Sequence, residues 1–280
     1  MKSVSVIFLA AILFASSAHA ELKPNIEYGK AGGQVLRLDV NVPNGPGPFP
    51  VVIAVHGGGW CTGDKSGKGG FAPVLKVLTA NHFTWFSIDY RLAPTNRWPD
   101  CFDDVQTAIR WVKAHAAEYK GDPNEIALLG YSAGGHLVCL AATLAGPGTR
   151  VQAIVGLAPP TDLLADAERR SGIGKWPSMR NLLGSTSMDD KTVKLLRQIS
   201  SINHVQPGLP PFLLMQGDSD KTVPPPFTRK FAAKLKKDGV PCELYFLKGP
   251  GHRIADWEKF DPTYPQRLVN WLNQTLAVKK

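Results

Sequence analysis

The sequence predicts an α/β fold built on a mostly parallel sheet with helices on both faces. Strand-like apolar runs alternate with segments whose apolar residues recur at helical spacing. Such alternation is typical of strand–helix–strand units in a parallel sheet. Because the crossovers between parallel strands are right-handed, their helices cover both faces of the sheet.

The composition agrees with a globular chain. Of the 280 residues, 44% are hydrophobic and 20% are charged, and these values exclude a disordered chain, a fibrous repeat and a polytopic membrane protein. The formal net charge is +9, but the lysines and arginines are scattered along the chain. A solvated basic surface accounts for this charge, so we expect no nucleic-acid partner.

Two kinds of apolar pattern predict the strands. Residues 34–42 alternate apolar and polar side chains and end at a turn rich in glycine and proline over residues 43–48. Residues 49–55 are almost continuously apolar, which is typical of a parallel strand buried on both faces. Further strands are predicted at residues 83–88, 126–129, 151–157, 211–215 and 244–247.

Helical spacing predicts the elements between these strands. In residues 102–116, Val105, Ala108, Ile109 and Val112 fall on one helical face, just after Pro99-Asp100. Further helices are predicted at residues 133–144, 227–237 and 266–277. No repeat or linker divides residues 21–280, so we expect one domain. Within it, the irregular segment at about 159–210 is predicted to form a small, lid-like insertion of short helices over a site.

Residues 1–20 have the pattern of a secretory signal peptide. Lys2 precedes an apolar run over residues 4–15, and Ala18-His19-Ala20 is a small-x-small cleavage site. The run is shorter than the roughly 20 apolar residues that cross a bilayer, and no later stretch could span one. We therefore expect a mature chain that is not membrane-bound and is exported, to the periplasm or the medium.

The four cysteines are Cys61, Cys101, Cys139 and Cys242. In an oxidising compartment they allow three full pairings. The sequence alone does not choose among them. Cys61–Cys101 is one candidate pair, because one residue follows a glycine loop and the other opens a helix, and we expect Cys139 to be a buried thiol. Neither C-x-x-C nor H-E-x-x-H spacing occurs, so no metal site and no cofactor are predicted.

The sharpest motif is Gly130-Tyr131-Ser132-Ala133-Gly134, a G-x-S-x-G between a short strand and a helix. This context defines a nucleophile elbow, a strained turn that lifts the serine hydroxyl clear of the sheet. The helix N-terminus behind the serine favours developing negative charge. The alternative is a glycine-rich helix start with an incidental serine. Tyr131 is a candidate wall of the substrate pocket.

A second motif, His56-Gly57-Gly58-Gly59-Trp60, directly follows the buried strand at residues 49–55. Consecutive glycines let backbone N–H groups turn towards a ligand, as in an oxyanion hole. The predicted donors are Gly58, Gly59 and Ala133, the residue after the serine. The alternative is a flexible glycine loop. Trp60 is either a wall of the acyl pocket or a packed aromatic residue.

A serine nucleophile needs a base and a group that orients the base. His252 lies in the glycine- and proline-rich loop after the last predicted strand, beyond the position expected for the acid. The acid belongs in the loop after residues 211–215, where Asp218 and Asp220 compete. We favour Asp220, which is further into the loop, and expect Asp218 to brace the turn.

With these motifs assembled, the chain resembles α/β-hydrolase esterases that carry an H-G-G-G-W oxyanion loop. It is most similar to secreted carbohydrate esterases, the group that includes bifunctional acetyl xylan and feruloyl esterases. The similarity covers residues 25–30, 36–43, 56–65, 87–94, 99–113, 130–136 and 217–224. In that group the acid stands three residues before a Val-Pro pair, which again selects Asp220. Only residues 21–55 precede the H-G-G-G-W loop, too few for the large N-terminal cap of the hormone-sensitive-lipase group.

These residues imply an exported serine esterase of the α/β-hydrolase fold. Ser132, Asp220 and His252 would form its catalytic triad, and no cofactor would be needed. The resemblance implies an acetyl or feruloyl ester on a plant polysaccharide as substrate. The alternatives are a general short-chain carboxylesterase, an arylformamidase-like hydrolase and a non-catalytic binding module.

Overall fold

The computed structural model describes residues 20–68 and 70–276, and over these residues eight strands form one sheet. Of the predicted signal peptide, residues 1–19 lie outside the described residues. The strands are β1 (Glu21–Ala31), β2 (Gln34–Val42), β3 (Phe49–Val55), β4 (Thr84–Ile88), β5 (Gly121–Tyr131), β6 (Ala153–Leu157), β7 (Phe212–Gly217) and β8 (Cys242–Leu247). Their order is β1-β2-β4-β3-β5-β6-β7-β8, and only β1–β2 and β2–β4 are antiparallel. The mostly parallel sheet is confirmed.

Helices cover both faces of this sheet. They are α1 (Ala72–Ala80), α2 (Asp100–His115), α3 (Ala133–Thr143), α4 (Leu163–Arg169), α5 (Pro177–Leu183), α6 (Asp190–Gln198), α7 (Pro225–Lys237), α8 (Trp257–Phe260) and α9 (Tyr264–Thr275). Apolar side chains of α2, α3 and α7 join the core on one face, and those of α1 and α9 join the core on the other. Within the described ranges, every helix is too short or too polar to cross a bilayer.

Strand β3 shows why its sequence reads as continuously apolar. Val51, Ile53 and Val55 belong to the core on one face, and Val52 and Ala54 belong to the core on the other. All five side chains are fully buried. Because both faces are covered by helices, neither set can be polar.

The predicted strands and helices begin and end within two residues of their expected positions, with one exception. The strand predicted at residues 126–129 is longer and extends over Gly121–Tyr131. Residue 277, the predicted end of the last helix, lies outside the described residues. The prediction missed β1, α1 and the four-residue helix α8. Strand β1 is an edge strand with mostly exposed residues, so it has no apolar run. Helix α1 has only nine residues, including a proline in its first turn.

The segment between β6 and β7 forms the short helices α4, α5 and α6, with 3₁₀ turns at Ile173–Lys175 and Ser201–His204. Its apolar side chains are buried in the same core as α2 and α3. Fully buried examples are Leu163, Ala167, Met179, Leu182 and Leu196. The segment is therefore a packed wall of the domain.

The candidate Cys61–Cys101 disulfide is wrong. All four cysteines lie in the described part of the chain, and all four are free thiols. The Cys61 sulfur lies 3.7 Å from the Ser178 carbonyl oxygen and 3.8 Å from the Asn181 amide nitrogen. Cys101 is instead buried in the core at the start of α2. Cys139 is fully buried, as expected.

Candidate active site

The predicted site residues meet at one edge of the sheet. The strands concerned are β3, β5, β7 and β8, which all run parallel. In the sheet β3 lies next to β5 and β7 lies next to β8, with β6 between β5 and β7. The segments that directly follow them carry the H-G-G-G-W loop, Ser132, Asp220 and His252. The carboxyl ends of parallel strands are where α/β proteins place their ligand sites.

Ser132 occupies a strained turn between β5 and α3. Its φ is +53°, in the left-handed region, although it has a Cβ. The Ser132 N–H donates to the Leu157 carbonyl at 2.9 Å, and the Ser132 carbonyl accepts from the His136 N–H at 2.9 Å. A Cβ on Gly134 would lie 2.1 Å from the Val55 carbonyl oxygen, so only glycine allows α3 to approach β3 this closely. The turn is therefore fixed from both sides, as strained backbone requires.

A hydrogen-bonded chain joins the three predicted triad residues. The Ser132 Oγ lies 2.9 Å from His252 Nε2, and His252 Nδ1 lies 2.7 Å from Asp220 Oδ2. A carboxylate only accepts hydrogen bonds, so His252 carries its proton on Nδ1. Its Nε2 then has a free lone pair directed at the Ser132 hydroxyl. This is the arrangement in which an imidazole can remove the hydroxyl proton.

The structure distinguishes the two competing acids. Asp220 is buried, and its Oδ1 accepts from the N–H groups of Thr222 at 2.8 Å and Val223 at 2.9 Å. Its Oδ2 accepts from the Gln216 amide at 3.2 Å as well as from His252. Asp218 instead accepts from the Gly249 N–H at 2.8 Å, which ties the β7 turn to the loop that carries His252.

Tyr131 and Trp257 hold the backbone of the His252 loop. The Tyr131 hydroxyl donates to the His252 carbonyl at 2.9 Å, and the two rings stack with centroids 5.3 Å apart. The Trp257 indole donates to the Gly251 carbonyl at 3.0 Å. Burial raises the pKa of Tyr131 to about 12, so its hydroxyl remains a donor at neutral pH.

The H-G-G-G-W loop follows β3 with three successive residues in the left-handed region. The φ angles are +116° at Gly58, +60° at Gly59 and +60° at Trp60. A Cβ on Gly58 would lie 2.0 Å from the Thr62 carbonyl oxygen. The Gly58 carbonyl accepts from the N–H groups of Cys61 and Thr62, at 3.1 and 3.0 Å. Gly58 is therefore required by both its φ and the tight turn after it.

Two cavities lie beside this loop. One has a volume of about 60 Å³ and is lined by Ser132, Gly59, Trp60, Ala133 and Trp176, among others. The second cavity has a volume of about 300 Å³, and its lining includes Gly58 and Tyr131. Its remaining lining residues are His56, Gly57, Thr62, Gly63, Asp64, Gly67 and Phe71. The predicted donors Gly59 and Ala133 share the cavity of Ser132, whereas Gly58 lines the neighbouring one.

Sequence reasoning missed several residues of the Ser132 cavity, among them Arg170 and Trp176. The Arg170 guanidinium lies 4.5 Å from the centre of the Trp176 ring. It donates to Asp166 at 3.1 Å and to the Thr222 carbonyl at 2.6 Å. Both residues come from the segment between β6 and β7, which carries no motif, so only the tertiary structure reveals them.

Known proteins resemble this chain in sequence and in structure. The esterase LipC of Mycobacterium tuberculosis is 33% identical over 243 residues, which cover 81% of this chain and 59% of LipC. The crystal structure of an acetyl ester-xyloside bifunctional hydrolase from Caldicellulosiruptor lactoaceticus is 26% identical with a TM-score of 0.76, covering 89% of this chain and 95% of that one.

A thermophilic esterase from the Planctomycetes species Thermogutta terrifontis is 27% identical with a TM-score of 0.73, covering 93% of this chain and 94% of that one. The same esterase has been solved with butyrate and with propionate bound, and phosphorylated by paraoxon. These likenesses establish the α/β-hydrolase fold predicted from the sequence.

The chain spans about half the length of the curated relatives it matches, between 48% and 59% for the LipM, LipC and isoprenylcysteine methylesterase-like proteins. A family match covers residues 38–235, from β2 to the last turns of α7. This range includes the H-G-G-G-W loop, Ser132 and Asp220. The chain belongs to the BD-FAE family.

Proposed function

We propose that this protein hydrolyses carboxylic esters through an acyl-enzyme formed on Ser132. The observation that carries the proposal is the hydrogen-bonded chain from the Ser132 hydroxyl through His252 to Asp220. A strained serine, a correctly protonated imidazole and a buried carboxylate together form the arrangement that activates a hydroxyl. Relatives that are named esterases support the reaction class.

In the first half of the reaction, Ser132 Oγ attacks the ester carbonyl carbon while His252 Nε2 takes the hydroxyl proton. The resulting imidazolium is stabilised by the Asp220 carboxylate at 2.7 Å. When the tetrahedral intermediate collapses, His252 returns the proton to the leaving alcohol oxygen. The alcohol departs, and the acyl group stays bound to Ser132 as an ester.

The negative charge of the intermediate needs donors that are already in place. The N–H groups of Gly59 and Ala133 belong to residues that line the Ser132 cavity, and Gly58 lies in the same loop. We assign these three residues to the oxyanion hole. One such donor is worth about 10²–10³ in rate.

In the second half, a water molecule replaces the alcohol. His252 removes a proton from the water as it attacks the acyl carbon, and then returns the proton to Ser132 Oγ as the carboxylic acid leaves. The same two proton transfers therefore run in both halves of the reaction, and one imidazole serves both.

For the substrate, we propose an ester of a short acyl group, such as an acetyl group on a plant polysaccharide. The Ser132 cavity of about 60 Å³ is less than half of the about 150 Å³ that accommodates benzene in a protein interior. An acetyl group suits that volume better than the aromatic feruloyl group that the resemblance also implies. The larger cavity beside Tyr131 would receive the alcohol part.

A general short-chain carboxylesterase is the second candidate. The same small cavity favours it, as do the Thermogutta terrifontis esterase structures with propionate and butyrate. The two candidates differ only in the alcohol that they require. An arylformamidase-like activity would appear instead as cleavage of N-formyl amides.

The test combines active-site labelling with a substrate panel. A fluorophosphonate probe should label the wild-type protein at Ser132 and should not label Ser132→Ala. In the panel, acetylated xylan should then be the best substrate, nitrophenyl acetate should be hydrolysed better than longer nitrophenyl esters, and methyl ferulate should be a poor substrate. Labelling that is equal in both proteins would overturn the mechanism, and nitrophenyl acetate outperforming acetylated xylan would favour the second candidate.

We also propose that the protein is exported after cleavage behind Ala20, on the basis of the apolar run and cleavage site in residues 1–20. N-terminal sequencing of the protein recovered from a producing cell tests this. A mature chain that begins at Glu21 supports it, and a chain that keeps residues 1–20 contradicts it.

A further inference from the structure

We propose that His136 is a positioning residue that sets the geometry of the oxyanion hole by holding the Trp60 indole. This inference rests on the proposed function. The assigned donors come from two separate pieces of chain, Gly58 and Gly59 from the loop after β3 and Ala133 from the start of α3. The Trp60–His136 hydrogen bond, at 3.2 Å, joins these two pieces.

The partners of His136 determine where its proton lies. Its Nε2 is 2.7 Å from the Ile199 carbonyl oxygen, which can only accept, so Nε2 carries the hydrogen. Its Nδ1 is therefore an acceptor, and the indole N–H of Trp60 can only donate. Both ring nitrogens are thus satisfied in one tautomer alone. Burial lowers the pKa of His136 to about 4, so the neutral ring that this arrangement needs is present at neutral pH.

Trp60 has a conformation that needs such support. Its φ of +60° places a residue with a large side chain in the left-handed region, directly after two glycines that are also left-handed. A residue with a side chain is strained in that region and stays there only where its surroundings hold it. The Trp60 side chain is almost completely buried, and its ring meets the His136 ring edge-on at 5.4 Å.

We call the Trp60–His136 hydrogen bond the link, and its His136 end is also fixed. The His136 N–H donates to the Ser132 carbonyl, so the ring lies one turn along the helix that begins behind the nucleophile. Ile199, which accepts from the ring, follows α6 in the segment between β6 and β7. The link therefore connects the oxyanion loop, the nucleophile helix and this segment. A misplacement of about 1 Å at a reacting centre can cost about 10² in rate.

Two variants break the link in different ways. Trp60→Phe removes the indole N–H and keeps an aromatic ring, and His136→Phe removes both ring nitrogens. We expect kcat for nitrophenyl acetate to fall about 10- to 100-fold in each, with KM within about threefold, because the donors act on the transition state. His136→Gln keeps one acceptor and one donor, so it should recover most of the lost kcat.

A transition-state analogue separates positioning from general loss of structure. A trifluoromethyl ketone forms a hemiketal with Ser132 whose oxyanion occupies the hole, so its Ki should rise by the same factor as kcat falls. Trp85→Phe is the matched control. It also removes an indole hydrogen bond from a buried tryptophan, to Thr79 at 2.9 Å, but on the opposite face of the sheet. Its kcat and Ki should match the wild type even if its melting temperature falls.

The kinetic results distinguish a failure of the inference about His136 from a failure of the proposed function. Wild-type kcat and Ki in both link variants, or a raised KM with unchanged kcat, would overturn the inference and leave the proposed function intact. A wild-type protein that hydrolyses no ester would overturn the proposed function instead. The ¹⁵N chemical shifts of His136 then still test the link: a protonated Nε2 and unprotonated Nδ1 support it, and a protonated Nδ1 overturns it.

Discussion

His252 and His136 both hydrogen-bond to Ser132, and their environments are opposite. The His252 ring faces the Ser132 hydroxyl, and its protonated Nδ1 faces a carboxylate. His136 contacts Ser132 through its backbone N–H, and its ring lies between a carbonyl oxygen and an indole. The two rings consequently hold their hydrogen on opposite nitrogens.

The difference between their surroundings explains why only one ring can move a proton. The His252 side chain is 18% exposed and lies beside Asp220, which stabilises a positive ring. The His136 ring is completely buried, and protonation would place a second donor against the Trp60 N–H. The first environment suits proton transfer and the second suits fixed geometry.

The largest effects should come from the His252 side of this comparison. We expect Ser132→Ala and His252→Ala each to lower kcat for nitrophenyl acetate by at least about 10⁴-fold, since each removes a group that takes part in the chemistry. The double variant should be no worse than the single variants, because the residues act as a unit. Steady-state kinetics on variants whose circular dichroism matches the wild type checks this. Additive losses in the double variant would contradict a shared role.

The next effect separates the two aspartates of the β7 turn. Asp220→Asn should lower kcat by about 10⁴-fold, because an amide in that place no longer selects the His252 tautomer with Nδ1 protonated. Asp218→Asn is the matched control: its oxygen can still accept from the Gly249 N–H, so we expect less than a tenfold change. Comparable losses in both variants would mean that the turn as a whole, and not the Asp220 carboxylate, is what His252 requires.

These two groups also show how far the sequence could predict the site. Ser132 and His252 could be identified because their signals are local: a strand–turn–helix motif for one, and a loop after the last strand for the other. Asp220 had to be chosen over its neighbour Asp218. The structure shows the physical reason for that choice: Asp220 accepts from the Thr222 and Val223 N–H groups and contacts His252.

The contacts among the other site residues had no local signal. The Trp60–His136 bond joins residues 76 positions apart, and the Arg170–Trp176 stack comes from a segment without a motif. The mostly parallel sheet could be predicted because buried strands are continuously apolar, whereas edge strand β1 is mostly exposed and could not. Contacts between distant side chains depend on packing, which periodicity does not encode.

A pH series should reveal His136 through stability. Its pKa is about 4 in the folded chain and about 6.5 when unfolded, so the unfolded chain binds the extra proton first as the pH falls. The stabilising effect of a neutral His136 is therefore complete above pH 6.5 and is lost progressively down to about pH 4, by about 3 kcal/mol. Urea unfolding at pH 7.5 and pH 5 measures it.

His136→Gln supplies the reference for that series, since glutamine does not titrate. The stability advantage of the wild type over this variant should shrink between pH 7.5 and pH 5. His56, whose pKa burial also lowers, is present in both proteins, so its contribution cancels in the difference. An advantage that stays constant with pH would show that His136 can be protonated in place, contrary to the fixed tautomer.

The smallest expected effect concerns substrate selection on the Trp60 side of the site. Trp176 lines the Ser132 cavity and its ring lies 6.2 Å from that of Trp60, so Trp176→Ala should enlarge the acyl space. We expect the ratio of kcat/KM for nitrophenyl butyrate to that for the acetate to rise about tenfold, since a methylene group in a pocket is worth about 1–3 kcal/mol. Trp271→Ala, which removes a tryptophan packed on the opposite face of the sheet, is the control and should leave the ratio unchanged. If Trp176→Ala also leaves it unchanged, the acyl group binds in the larger cavity beside Tyr131, and the two cavities exchange the roles proposed for them.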